Sequence, residues 1–229
     1  MIITIDGQIA TGKSSVAKTL AREIGYIYID TGAMYRCLTY AALKKKINID
    51  DPQALAHFLQ DFKFVMRIKH EAKHYFVDEE DVTDKIRQTE VTTAVSKISA
   101  IKEVREKLVA LQRELASGVN CVVEGRDMGS VVFPNADIKI FLTGRPEVRA
   151  KRRFDELKGK FPDECINLTL DQTLQEINQR DTYDMSRDIS PLRQPSGAFV
   201  VDTSDKSIGD VVLEILEYKD SLKARRPKE

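Results

Sequence analysis

An α/β fold built on a parallel sheet is the class this sequence predicts, and three observations predict it. Five short apolar runs, residues 2–5, 26–30, 121–124, 138–142 and 199–202, read as strands buried on both faces. Helical periodicity fills the stretches between them, the alternation that produces a parallel sheet with helices on either side. Polar or glycine-rich residues stand just past the runs: residues 7–15, Asp30-Thr31, residues 124–127, Thr143 and Asp202-Thr203. Ligands of open α/β sheets bind at that end of the strands.

Taken in order, the first run has β-branched residues in its middle and breaks at Asp6-Gly7. Gly7-x-x-x-x-Gly12-Lys13-Ser14 follows, then an apolar-periodic helix over 14–24. Strand, glycine-bounded loop and helix in that order form the context of a phosphate-binding loop. Its inward amides make a nest for anionic oxygens, and the helix end adds positive potential. Residues Gly7, Gln8, Ile9, Ala10, Thr11, Gly12, Lys13, Ser14 and Ser15 are therefore expected to bind a nucleoside triphosphate. Lys13 reaches the β- and γ-phosphates, and Ser14 is placed to hold Mg²⁺. A second strand and a helix over 33–45 come next. The segment 62–68 alternates (FKFVMRI), 74–77 is β-like and 78–84 is acidic, which predicts an inserted antiparallel hairpin. One helix is expected over 90–117, then the third and fourth strands. Further helices are predicted over 146–158, 170–185 and 208–223. Between two of them, KGKFPDECINLT (158–169) contains Gly159 and Pro162 and reads as a loop. Flanked by Arg149, Arg152, Arg153 and Arg180, it is a candidate lid. The tail 223–229 is charged and expected to fray.

Lys plus Arg and Asp plus Glu both number 36, so net charge is zero, and a dedicated nucleic-acid binder is disfavoured. Cys37, Cys121 and Cys165 are odd in number and form no Cys-x-x-Cys pair, which points away from zinc or disulfides and toward a reducing cytosol. No apolar run reaches the roughly 18 residues of a membrane span, and the chain enters a strand without a leader pattern. His70 and His74 are four apart, but in a polar turn leading into a strand they read as solvated side chains.

A triphosphate site alone names no reaction; the arginines discriminate. Of Arg36, Arg105, Arg126, Arg152, Arg153, Arg180, Arg187 and Arg193, several fall at predicted strand-end loops or helix ends. A planar guanidinium suits bidentate phosphate contacts, and an enzyme joining two phosphorylated substrates must offset much negative charge. Guanine-reading Asn-Lys-x-Asp, which a nucleotide switch would need, is absent.

Here DTGAMYR (30–36), EGRDMGSVVFPNADIKIFL (124–142) and RDTYDMSRDISPL (180–192), with GQIATGKSS and VREKL (104–108), make the chain resemble bacterial cytidylate kinases collinearly over essentially its whole length. The resemblance implies a nucleoside monophosphate kinase-like fold: a five-stranded parallel sheet flanked by helices, an inserted small antiparallel β element and a helical lid. It implies one kinase domain over 1–229, with a core of 1–35, 118–148 and 190–229, a monophosphate-binding insert region of 36–117 and a lid region of 149–189. The implied reaction passes the γ-phosphoryl group of ATP to CMP or dCMP, with Mg²⁺. A monomer is expected because the sequence shows no obvious self-complementary apolar patch, and a cytoplasmic location because of the cysteine pattern. CMP is then assigned to Thr31, Arg36, Ser96, Arg105, Arg126, Asp127, Arg180, Asp184 and Arg187. Lys13, Arg126, Arg152 and Arg187 take the catalytic charge-stabilising roles. Ser96, Arg105 and Asp127 would read the cytosine edge, and Asp184 the sugar hydroxyls. Glu124 is the acid that would hold Mg²⁺ through water. Two departures stand out: Gln8 and Ala10 occupy loop positions where the family often has Pro and Gly, and Glu124 stands where many members have Asp. Uridylate, thymidylate and shikimate kinases are the rival readings on the same fold.

Overall fold

The computed structural model describes residues 1–69, 72–163 and 165–224. Its elements run β1 (Ile2–Gly7), α1 (Lys13–Glu23), β2 (Ile27–Asp30), α2 (Thr31–Lys44), α3 (Pro52–Asp61), β3 (Phe64–Lys69), β4 (Ala72–Val77), β5 (Glu80–Asp81), α4 (Thr89–Ile98), α5 (Lys102–Leu115), β6 (Cys121–Glu124), β7 (Ile138–Thr143), α6 (Pro146–Lys160), α7 (Leu170–Met185), β8 (Phe199–Asp202) and α8 (Ile208–Ala224). The chain divides into two compact units, Met1–Ile29 with Gly118–Glu229, and Asp30–Ser117.

The first unit is built on a five-stranded sheet in the order β2-β6-β1-β7-β8. The central β1 runs parallel to β6 and to β7, and β8 runs parallel to β7. Ile3, Ile5, Ile140 and Leu142 are wholly or almost wholly buried, because helices cover the sheet: Val16 and Leu20 of α1 and Val211 and Ile215 of α8 complete this core. Burying such side chains contributes about 1.5–3 kcal/mol each. Gly7, at the carboxyl end of β1, has φ +151°, and a Cβ there would lie 2.1 Å from the Leu142 carbonyl oxygen. The close approach of β7 therefore demands glycine where the strand turns into the loop.

In the second unit α2 opens on Asp30, whose carboxylate accepts from the Ala33 amide at 2.9 Å. Ala33, Met34, Cys37, Leu38 and Ala41 of α2 form a core with Phe58 and Leu59 of α3 and Leu108 of α5. The predicted hairpin is a three-stranded antiparallel sheet, β3-β4-β5. Asp78 and Glu79 both take positive φ, 46° and 69°, and this two-residue turn adds the short strand that the acidic composition concealed.

Three further differences from the sequence reading have physical reasons. The helix α3 was not anticipated; Asp51 caps it by accepting from Gln53 and Ala54, with Pro52 in its first turn. The single helix expected over 90–117 is two, α4 and α5, separated where Ile101 is extended at ψ 130°. Apolar spacing from Val91 to Leu108 stays in helical phase across the break, so periodicity does not reveal it. Finally α6 runs on to Lys160 with Gly159 inside it, so the loop before α7 starts at Phe161. That loop ends in a capping box of Thr169 and Gln172.

Candidate active site

The loop from Gly7 to Ser15 joins β1 to α1, and Gly12 at φ 85° leads directly into the helix. Lys13 is buried, its Nζ donating to the Gln8 carbonyl at 2.6 Å, and Thr11 Oγ1 donates to the same oxygen at 2.9 Å. Burial, and then the Arg126 guanidinium, pull the Lys13 pKa down to about 7 against the opposing pull of Glu124, Asp181 and Asp6. Ser14 is exposed in the first turn of α1. Thr143 Oγ1 donates to Gln8 Oε1 at 3.3 Å. Ala10 takes φ 59°, the left-handed region in which a side chain is disfavoured, which leaves strain in the loop.

Glu124 ends β6, buried, and accepts from the Tyr28 hydroxyl at 2.5 Å. The segment after it carries Arg126 and Asp127 and closes in a single wide turn, Met128–Val132, with five residues per backbone bond. Asp6 anchors that turn: its two oxygens accept from the Met128 and Gly129 amides, each at 2.7 Å. Glycine is required at 129, where a Cβ would meet Thr4 Oγ1 at 2.9 Å and the Pro195 ring at 3.0 Å.

The sequence-predicted arginines converge on one carboxylate. Asp184 of α7, with no exposed surface, receives Arg126 Nε at 3.0 Å, Arg180 Nε at 3.2 Å and Arg187 at 2.6 Å. Burial raises its pKa, but the three guanidiniums outweigh burial and hold it below the ordinary carboxylate range. Arg126 also donates Nη1 to the Gly7 carbonyl at 3.2 Å, which fixes the arginine cluster beside the phosphate loop. Arg152 of α6 is placed elsewhere in this unit, on the hydroxyl and carbonyl of Thr203 at 3.0 and 2.6 Å. Arg153 pairs with Glu156.

In the second unit Thr31 is buried at the start of α2. Arg36, a turn later, donates to Thr92 Oγ1 at 2.8 Å, and Ser96 lies one further turn along α4. Arg105 of α5 is buried, donates Nη1 to the Ser99 carbonyl at 3.3 Å and stacks over the Tyr35 ring at 5.5 Å. The break between α4 and α5 is what leaves the Ser99 carbonyl available to that guanidinium.

Sequence reasoning missed Asp6 and Asp181, and took Arg149 only as a flank of the lid. Nothing in the spacing separates Asp6 from a strand-ending turn residue, or Asp181 from the solvated face of a helix. His74 pairs with Asp81 through Nδ1 at 2.8 Å, and His70 lies outside the described residues. The three cysteines are buried and free. Among the described residues no group of His, Cys, Asp and Glu could hold a metal by itself, and no helix is long and apolar enough to cross a membrane.

Comparison with known proteins agrees with this constellation. The family model described as cytidylate kinase matches residues 3–221. A cytidylate kinase of Protochlamydia amoebophila is 62% identical over 99% of this chain and 100% of its own length. One from Caldicellulosiruptor bescii is 45% identical over 94% and 93%. Among solved structures, shikimate kinase from Bacteroides thetaiotaomicron superposes with TM-score 0.53 over 96% of this chain and 98% of that one, at 12% identity, a likeness of fold alone. The phosphate loop, the arginines gathered beside it and a match over nearly the whole chain have one conclusion: the chain belongs to the cytidylate kinase family.

Proposed function

We infer that this enzyme transfers the γ-phosphoryl group of ATP to CMP or dCMP, giving CDP or dCDP and ADP. The observation that carries the reading is the attachment of the arginine cluster to the phosphate loop, through Arg126 on the Gly7 carbonyl and Asp184. ATP phosphates sit in the loop of residues 7–15, with Lys13 at the transferred group. Thr31, Arg36, Arg126, Arg180 and Arg187 are assigned to the phosphate of the monophosphate. Phosphoryl transfer through a loose transition state is mostly positioning and charge neutralisation, so no general base is needed. The acceptor is already an anionic phosphate oxygen. Asp184 keeps three guanidiniums oriented before substrate arrives, which removes reorganisation from the chemical step. Arg152 and the segment after α6 are assigned to the ATP lid, which excludes water from the transferred group.

Ser14 and Glu124 present a hydroxyl and a carboxylate, the hard oxygen donors Mg²⁺ takes alongside substrate phosphates. Glu124, which accepts from the Tyr28 hydroxyl, is assigned to Mg²⁺ and would hold it through water. When bound, Mg²⁺ supplies charge neutralisation across the β- and γ-phosphates. Ser96, Arg105 and Asp127 are assigned to the base. Cytosine offers an amino donor beside the N3 and O2 acceptors, which suits a carboxylate together with a cation and a hydroxyl. Uracil would set a carbonyl against Asp127, a mismatch of about 1–3 kcal/mol. The enzyme acts as a cytosolic monomer, with ATP and CMP rather than nucleic acid or membrane as its partners.

ADP release in a coupled assay against a panel of nucleoside monophosphates and shikimate tests the substrate. CMP and dCMP are expected to stand well above UMP, TMP and shikimate, and a preference for any of the latter overturns the reading. Lys13→Ala is expected to lose at least about 10²-fold in kcat while remaining folded; retention of a tenth of the activity would remove the loop from catalysis. Asp127→Asn, whose amide can donate to O4 of uracil, is expected to shrink the CMP-to-UMP ratio of kcat/KM by about 10–100-fold. An unchanged ratio in a folded variant means the base is read by other residues.

A further inference from the structure

Arg149 and Asp181 form a buried ion pair that the proposed reaction does not use. Arg149 is 2% exposed and Asp181 5%, so neither presents a surface to a phosphate. Arg149 Nη1 meets Asp181 Oδ2 at 2.5 Å, and Arg149 Nε donates to the Gly144 carbonyl, just past β7, at 2.9 Å. Two further bonds of the pair go to a single residue of the phosphate loop. Arg149 Nη1 also donates to the Ile9 carbonyl at 3.1 Å, and the Ile9 amide donates to Asp181 Oδ1 at 3.1 Å. Both polar groups of Ile9 are thus committed to protein and withdrawn from the anion nest. The next residue is Ala10, held at φ 59° without the freedom of glycine.

We infer that Arg149 and Asp181 are positioning residues for the phosphate loop. They fix the Ile9 residue at both its N–H and its C=O, and so set the turn after which the loop amides face the ATP phosphates. The need is local. An alanine in the left-handed region costs free energy that glycine does not, so the turn persists only where its surroundings over-determine it. A buried pair costs desolvation and is a poor source of stability by itself. Here it supplies what a hydrophobic pair cannot, an acceptor and a donor aimed at one backbone residue. Its members stand on α6 and α7, the helices that bracket the segment assigned to the lid, and the Gly144 bond ties the pair to the sheet. Loop geometry is thereby set jointly by the strand end and by both helices. The inference rests on the assignment of ATP to this loop.

Two measurements test it. In the nucleotide-free protein, amide exchange followed by NMR is expected to show the Ile9 N–H protected at least about 100-fold relative to an unstructured peptide, as a bond to a buried carboxylate requires. Rapid exchange at Ile9 overturns the clamp. In the second measurement, Arg149→Met combined with Asp181→Leu removes both charges at once and leaves neither unpaired. With cooperative melting retained, KM for ATP is expected to rise about tenfold or more, the scale of a misplaced binding group, while KM for CMP stays within about threefold. Asp181→Asn keeps an acceptor for the Ile9 amide and loses the charge, so its ATP KM is expected between parent and double variant; it carries the same criterion where the double variant does not melt cooperatively. A merely structural pair would lower the active fraction and leave both KM values at parental levels, and that result, or an equal rise in both, overturns the inference. A parent enzyme that turns over no ATP would instead sink the ATP reading and leave the Ile9 protection standing.

Discussion

Asp6 shows how one residue sets both geometry and pH response. Its carboxylate is fully buried and spans two amides at 2.7 Å, which is how β1 holds the turn carrying Arg126 and Asp127. Burial pushes its pKa up from 3.8 to about 6, and the bonds from Gly129 and Met128 only partly offset that. The folded protein therefore binds the Asp6 proton more tightly than the unfolded chain does. Its contribution to stability is fully present below about pH 4 and is lost as pH rises through about 6, roughly 2–3 kcal/mol in all at 1.36 kcal/mol per pKa unit. Asp6→Asn removes this titration. Urea unfolding between pH 4 and 7 is expected to show a stability slope that falls with pH less, or rises more, than in the parent. Parallel slopes in the two proteins would show that Asp6 does not titrate in this window. The variant also lowers stability overall, because its NH2 replaces one of the two acceptor oxygens and sets a donor against a backbone N–H.

At the scale of the element, what was legible in the sequence is what burial on both faces dictates. All five strands of the large sheet lie within a residue or two of the apolar runs, and α7 spans its predicted residues. Arg126, Arg180 and Arg187 were grouped by the family resemblance alone, since Arg180 lies inside α7 and no spacing rule brings it to the other two. Illegible were features decided by backbone geometry against an uninterrupted pattern: the break between α4 and α5, the strand β5, and the commitment of the Ile9 residue to a distant pair. The helix α5 carries a further departure, Gln112, which has no exposed surface and whose amide nitrogen and oxygen find no partner among the described residues. A buried amide left unsatisfied costs about 1–3 kcal/mol. Gln112→Met keeps the shape and removes the polar atoms, and is expected to raise the melting temperature by about 2–4 °C for a chain of this size. A lower melting temperature would place a bridging water on the amide instead.

For the whole molecule, the gathering of Arg126, Arg180 and Arg187 on Asp184 has a consequence for how the protein behaves in a test tube. One carboxylate cannot neutralise three guanidiniums. Burial, with Arg126 and Arg187, lowers the Arg180 pKa despite the raising pull of Asp184, a sign of crowded positive charge. The resting enzyme is expected to bind a tetrahedral oxyanion at this cluster. Its apparent stability will then depend on the buffer: an anion that binds the folded state alone stabilises it by RT ln(1 + [L]/Kd), about 2.7 kcal/mol at a hundredfold excess over Kd. Melting in sulfate or phosphate is expected several degrees above melting in chloride at matched ionic strength. Arg126→Ala is expected to lose most of that increment and to keep only the part that any salting-out anion gives. An increment equal in both proteins would mean the cluster holds no free anion. Where it holds one, phosphate buffer competes with the monophosphate, and a KM measured in it reports the buffer as well as the enzyme.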